Sequence, residues 1–536
     1  MHLIWLAFIV LSSFGLLTNC KDPDSRKSAK SVFRYNESAG ITSLDPAFAR
    51  AQNNIWVVHQ LYNTLLEYDN QLNIKPSLAT AWVVSSDGLE YRFKLRTDVY
   101  FHANTIFSPD TTRRMTASDV MYSLQRLASP QLAAPGGWTM QFVSQIQVVR
   151  DDSLLIRLKE PFPPFLGILT MKYCSVVPSE IASMPIDWLS KNPIGTGPYF
   201  LKVWEENEVM ILRKNQAYFE TDSQNQPLPY PEGVKITFIT DKQSAFLELL
   251  NGRIDMLSGL DASYKDEILT REGVLAEKYR QRFVLQKADY LNTEYLAFNI
   301  EKAKAENLPW ADPRVRLAIN FAIDKEAISI HLRNGAGRPA RQGFIPPVLN
   351  PLSKYREKSE AEIAIELLRE AGFYQLTPSP VLTLSTTASY ADMAELIQQN
   401  LAKVGIRLRV DVLPPSTLRQ NIAAGSVLFY RGSWIADYAD GENYLSLFYS
   451  GNMPPFGPNY SRYSDIRFDL KYQKLKNIST QNERWQIIAE LDYFLMQEGA
   501  VIPLMYDQVI RLVRRDMGHL EVNPLNLLEL RSLHMQ

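Results

Sequence analysis

Residues 234–256 read VKITFITDKQSAFLELLNGRIDM, and this stretch sets the fold class. Val234 to Thr240 reads as a strand, Lys242 to Asn251 as a helix, and Ile254 to Met256 as a short strand. A compact strand–helix–strand unit is the building block of α/β domains. The same alternation continues on both sides, with no sequence repeat.

Upstream, Ser31 to Tyr35 reads as a first strand, and Ile55 to Tyr68 as an amphipathic helix with Ile55, Val58, Leu61 and Leu65 at helical spacing. Glu90 to Leu95 alternates as EYRFKL, with Tyr91, Phe93 and Leu95 on one strand face. Thr116 is placed to cap a helix running to Arg126, with Asp119 at its third position. Pro161 to Pro164 and Pro193 to Pro198 punctuate the middle of the chain, and Phe200 to Val203 with Val209 to Leu212 predicts a hairpin. Gly195-Thr-Gly197 and Gly335-Ala-Gly337 lack the following helix of a phosphate site and read as turns.

Downstream, helices are predicted over Asp312 to Ile330, Ser359 to Ala371 and Tyr390 to Val404, with Gly372 ending the second. Val381 to Ser385 and Ile406 to Leu413 read as strands, Trp485 to Gln497 as a helix, and Val501 to Tyr506 runs into a strand.

The chain has 536 residues, enough for more than one lobe. Lys plus Arg is 57 against 58 Asp plus Glu, with no basic stripe, which argues against nucleic acid. The six histidines form no ligand cluster, and HExxH, GxSxG and P-loop patterns are missing. Neither an enzyme nor a cofactor is expected. Cys20 and Cys174 have no metal-ligand spacing; Cys174 sits in the apolar run Gly167 to Pro178 and reads as a small core residue.

Leu3 to Leu17 is almost wholly apolar. At about 15 residues it is shorter than the roughly 20 that span a bilayer, and matches a signal-peptide core. It ends at Leu17-Thr-Asn-Cys20, before the polar stretch KDPDSRKSAKS, and resembles a bacterial lipobox. No Lys or Arg precedes the apolar run, and Asn19 stands where Gly or Ala is usual. The resemblance implies a lipid on Cys20 and a membrane anchor, with residues 21–31 as a tether; an ordinary signal peptide is the competing reading.

Four blocks stand in order along the chain. The first runs from Leu61-Tyr62 through Ser86-Asp87-Gly88 and Phe101-His102 to Thr116–Val120. Pro193–Tyr199 is the second, and Tyr295–Asn299 with Asp312–Arg316 and Ala322-Ile323-Asp324 the third. The fourth is Trp434-Ile-Ala-Asp437-Tyr438 followed by Asn459-Tyr-Ser461. Together they resemble the extracellular solute-binding proteins of the oligopeptide and dipeptide ABC transporter family (family 5). Two loops depart from the family pattern: Ala103-Asn104 with the following TIFSPDTTRRM, and Asp440-Gly441.

The resemblance implies an α/β, two-lobed periplasmic binding protein-like fold of class II type with an extra inserted domain. Domain I would comprise residues 32–58, 186–287 and 505–536, the inserted domain II 59–185, and domain III 288–504, after a leader over 1–20. Crossings between lobes would fall near 286–292 and 500–507. The implied function is the lipid-anchored binding component of an importer. It would act as a monomer outside the cytoplasm, capturing a short peptide between its lobes and delivering it to an ABC permease and ATPase complex. Alternatives are a metal complex, haem or an oligosaccharide on the same fold, or a lipid-anchored ligand sensor.

By the same resemblance, Asp437 would hold the ligand ammonium, Arg431 would meet a carboxylate, and Trp434 and Tyr438 would flank the site with aromatic surface. An unpaired buried charge costs several kcal/mol, so both peptide termini need partners. The competing readings are a local cap or salt bridge for Asp437, a surface position for Arg431 and core packing for Trp434.

Overall fold

A computed structural model describes residues 31–535 apart from 262, 357–359 and 519. The leader, Cys20 and nearly all of the tether lie outside the described residues.

Within these residues an 11-stranded sheet forms the spine of the molecule. From one edge its order is Arg407–Val412, Val381–Thr386, Phe429–Ile435, Phe283–Phe298, Val501–Arg514, Met256–Ser258, Val32–Asn36, Gly233–Thr237, Val209–Lys214 and Tyr199–Glu205; Gly337–Pro339 pairs beside Val501–Arg514. The strand–helix–strand unit of the opening stretch is present as Gly233–Thr237, Lys242–Leu250 and Met256–Ser258. Its two strands flank Val32–Asn36, each parallel to it. Asp241 caps the helix by accepting from Ser244 N–H. The predicted hairpin is the antiparallel pair Tyr199–Glu205 and Val209–Lys214.

A second sheet of four antiparallel strands joins Ala79–Val84, Glu90–Leu95, Ser153–Leu158 and Val143–Arg150. Tyr91, Phe93 and Leu95 point inward from it, as the alternation predicts. Helix Ala117–Leu127 packs beside it and starts with a reciprocal capping box between Thr116 and Asp119.

Apolar side chains gather into four clusters. One takes residues between 291 and 505, and another residues between 47 and 194 together with Tyr438. The third combines Phe33–Tyr62, Val177–Met256 and Val513–Leu533, with a small satellite between Ala245 and Phe283. The two long strands Phe283–Phe298 and Val501–Arg514 connect them. Phe283 and Leu512 lie in the satellite, whereas Leu291–Phe298 and Val501–Met505 lie in the largest core. Their pairing register shifts between Asp289 and Thr293, where the strands pass from one core to the other.

Three elements depart from the sequence reading. The first predicted helix ends at Leu61, and Leu66–Tyr68 is a strand. Gly197 N–H donates to Leu61 C=O at 3.0 Å, and Tyr62 turns extended. A Cβ on Gly195 would lie 2.1 Å from Leu61 O, and one on Gly197 2.4 Å from Leu61 C. Those glycines therefore admit close backbone approach rather than serve only as turns. The helix over 312–330 stops at Ala322 and restarts at Lys325, with Asp324 capping the restart and Asn400 holding its N–H. Val501–Arg514 runs well past Tyr506 because it pairs along its whole length with Phe283–Phe298.

Candidate functional site

Segments from all three large cores enclose a cavity of about 370 Å³. This is toward the small end of the ~300–1,000 Å³ typical of small-molecule sites. Arg50 and Ile55 enter from the segment around helix Gln52–Leu61, Lys172 and Tyr173 from the turn after Phe165–Ile168, and Leu291 and Asp437 from the largest core. The C-terminal segment closes one side through Leu525 and Glu529.

The loop carrying Asp437 is fixed by its neighbours. It leaves strand Phe429–Ile435, and Ala436 N–H donates to Leu291 C=O at 2.8 Å. Asn443 Oδ1 accepts from Trp434 Nε1 at 2.9 Å and from Asp437 N–H at 3.2 Å. Tyr438 donates to Glu442 at 2.5 Å, and Asp440 pairs with buried Arg484 at 2.7 Å. The departure Asp440-Gly441 is thus an anchor for this loop. Ala439 N–H reaches Tyr68 OH across the interface at 3.3 Å, and Lys476 pairs with Glu160 at 3.5 Å. The two halves are therefore in contact around the cavity.

Asp437 has no ion-pair partner among the described residues. Asp437 is exposed to solvent at the wall of the cavity. Removal from bulk solvent raises its pKa, with Asn443 and the Arg50 charge acting the other way. A carboxylate in this state gains from an incoming cation.

The other three expected residues do not line the cavity. The Arg431 guanidinium pairs with Glu294 and lies 3.3 Å from the centre of the Tyr390 ring. Its charge is already satisfied, so the carboxylate role is a poor fit to its position. Trp434 packs on the edge of the largest core, in line with the competing core reading. Tyr438 is buried in the core of residues 47–194, edge-on to Phe162 at 6.2 Å between ring centres. It joins the two halves rather than presenting a ring to a ligand.

Several cavity residues were not anticipated. Lys172 is 5% exposed. A charged residue inside the apolar run Gly167 to Pro178 was the available signal, since buried lysines are rare. Arg50, His59, Glu67 and Glu529 belong to segments with no motif, and only the fold brings them together. Glu67 and Glu529 are bound by Arg531, at 2.6 Å and 3.3 Å. Arg531 also meets Glu220 at 3.1 Å. Burial works against the Glu67 charge, but Arg531 and Lys172 outweigh it and hold the pKa well below the usual range. Glu529 also pairs with His59, whose pKa burial lowers.

Among the described residues no group of three or more His, Cys, Asp or Glu is placed to hold a metal. No helix there is long and apolar enough to cross a membrane. Cys174 is buried, and burial pushes its thiol up to about 12.

The family model described as bacterial extracellular solute-binding proteins, family 5, middle, matches residues 73–454. The chain belongs to this family. The match covers the four-stranded sheet, the loop carrying Asp437 and most of the largest core. Among the relatives of this family 5 protein, heme-binding protein A of Haemophilus influenzae is 26% identical over 508 residues, covering 90% of this chain and 88% of the relative. Di/tripeptide-binding protein 2 of Pseudomonas aeruginosa is 27% identical over 490 residues, covering 87% and 88%. An ABC transporter-associated periplasmic binding protein of Helicobacter pylori, solved with the peptide STSA, superposes with a TM-score of 0.76 at 25% identity, covering 95% of this chain and 99% of that one. The two-lobed periplasmic binding protein fold is thus common to these family members.

Proposed function

We propose that this protein captures short peptides outside the cytoplasm and hands them to an ABC permease. The observation that carries the reading is Asp437, without an ion-pair partner among the described residues, at the wall of a cavity where three cores meet. Such a group suits a peptide ammonium, since a charge-assisted hydrogen bond is among the stronger polar contacts. Relatives named for di- and tripeptides, and one solved with a bound peptide, support the class of ligand. The cavity volume favours a ligand of a few residues.

The wider role follows the same reading. Lipid on Cys20 would anchor the chain through the tether, and a monomer would present its closed form to the permease. The same reading divides the chain into domain I (32–58, 186–287, 505–536), inserted domain II (59–185) and domain III (288–504). A second reading keeps the cavity and changes the ligand; the relative named for haem favours it.

Native mass spectrometry of the full chain from a peptide-rich culture separates the two. The expected result is a bound mass that resolves, after denaturation, into di- or tripeptides. A bound tetrapyrrole or metal complex would overturn the peptide reading.

A further inference from the structure

The cavity contains a second charge without a partner. Lys172 is 5% exposed, lines the cavity, and among the described residues has neither an ion pair nor a hydrogen bond to its ammonium. The other nearby cations are committed or exposed. Arg531 is held by Glu67, Glu220 and Glu529, and Arg431 by Glu294. Arg50 is solvent-exposed and influences Asp437 from its own side of the cavity.

We propose that Lys172 receives the carboxylate of the bound ligand, so that the site selects molecules with a free amine and a free acid. This rests on the peptide reading above. Asp437 and Lys172 come from different cores, one on the loop after Phe429–Ile435 and one on the turn after Phe165–Ile168. A zwitterion lying between them satisfies both and ties the two halves together.

The groups around Lys172 allow this. Burial lowers its pKa, Glu67 and Glu529 work the other way, and Arg531 and Lys75 add to the lowering. Both carboxylates are already occupied by Arg531, and Glu529 also by His59, so neither comes within ion-pair distance of Lys172. An ammonium without a partner in a poorly solvated site gains from an incoming carboxylate, which favours its charged form. The role expected from sequence for Arg431 thus passes to a residue on the opposite half.

The test is titration calorimetry of the full chain with a pool of dipeptides and the matched pool of C-terminal dipeptide amides. The wild type is expected to bind the free acids roughly 10- to 100-fold more tightly than the amides, the range of a charged hydrogen bond. Lys172→Met should reduce acid affinity by that factor and leave amide affinity nearly unchanged, bringing the ratio near one. Lys172→Arg should keep part of the preference, which a merely structural role would not predict. Lys172→Gln gives a second neutral variant should the methionine chain fold poorly.

An unchanged acid-to-amide ratio in the neutral variants would overturn the proposal and leave the peptide reading standing. A wild type that binds both pools equally would do the same. A wild type that binds neither pool would overturn both.

Discussion

Asp437 and Arg431 stand six residues apart in the chain and differ in what faces them. Arg431 has Glu294 and the Tyr390 ring; Asp437 has a cavity. Replacing Asp437 with Ala should lower peptide affinity by about 3–5 kcal/mol if the ligand ammonium is left buried and unpaired. The same carboxylate burdens the ligand-free protein. Its folded pKa is raised, so the folded state binds a proton more readily than the unfolded state, and ligand-free stability falls as pH rises through that pKa. Asp437→Asn should therefore stabilise the ligand-free protein at neutral pH while weakening binding, as paired thermal scans and titrations would show. Peptide affinity should decline on acidification, starting above the ordinary aspartate value of about 3.9. Arg531 presents the opposite case. It is buried and bound by three carboxylates, so Arg531→Met should cost about 3–5 kcal/mol in denaturant unfolding by removing the cation shared by Glu67, Glu220 and Glu529.

Elements show how far the sequence reaches. The strand–helix–strand unit at 233–258, the capping box at Thr116 and the glycine after Glu370–Ala371 were legible because their causes are local. Gly372 has φ of +68° where the helix ends, as its position predicts. The early end at Leu61 was not legible. Its cause is the close approach of Gly195 and Gly197, more than 130 residues away, and periodicity carries no trace of that contact. The same limit governs the site. Asp437 lines the cavity from a segment with a recognisable motif, whereas Arg50 is brought there by packing alone and Lys172 stands out only as a charge in an apolar run. Another long-range contact joins helix Gln481–Gln497 to the loop at Gly343. Asp492 accepts from Phe344 N–H at 2.9 Å and from Asn350 at 2.8 Å. Burial raises its pKa to about 7. The folded value exceeds the unfolded one, so stability should fall as pH rises from about 4 to about 7. Asp492→Asn should flatten that slope, as denaturant titrations across the window would show. Gly343 has φ of +114°, and a Cβ there would sit 2.2 Å from the Asp492 carboxylate, so Gly343→Ala should destabilise the chain.

At the scale of the whole molecule, the cavity exists because three cores share a border crossed by two long strands. Contacts such as Ala439 with Tyr68 and Lys476 with Glu160 hold that border shut. A ligand touching both sides adds to them, favouring the closed arrangement by its difference in affinity for the closed and open states. At 100 times its dissociation constant, such a ligand should raise the unfolding free energy by about 2.7 kcal/mol, a shift that thermal scans would register. What distinguishes peptide capture from other ligands is the proposed contact between a free amine and Asp437. Titration calorimetry of the wild type and Asp437→Asn, each with a dipeptide pool and its N-acetylated counterpart, tests it most directly. Tight binding is expected only between free-amine peptides and the wild type. Equal binding of acetylated peptides, or undiminished binding by Asp437→Asn, would contradict it.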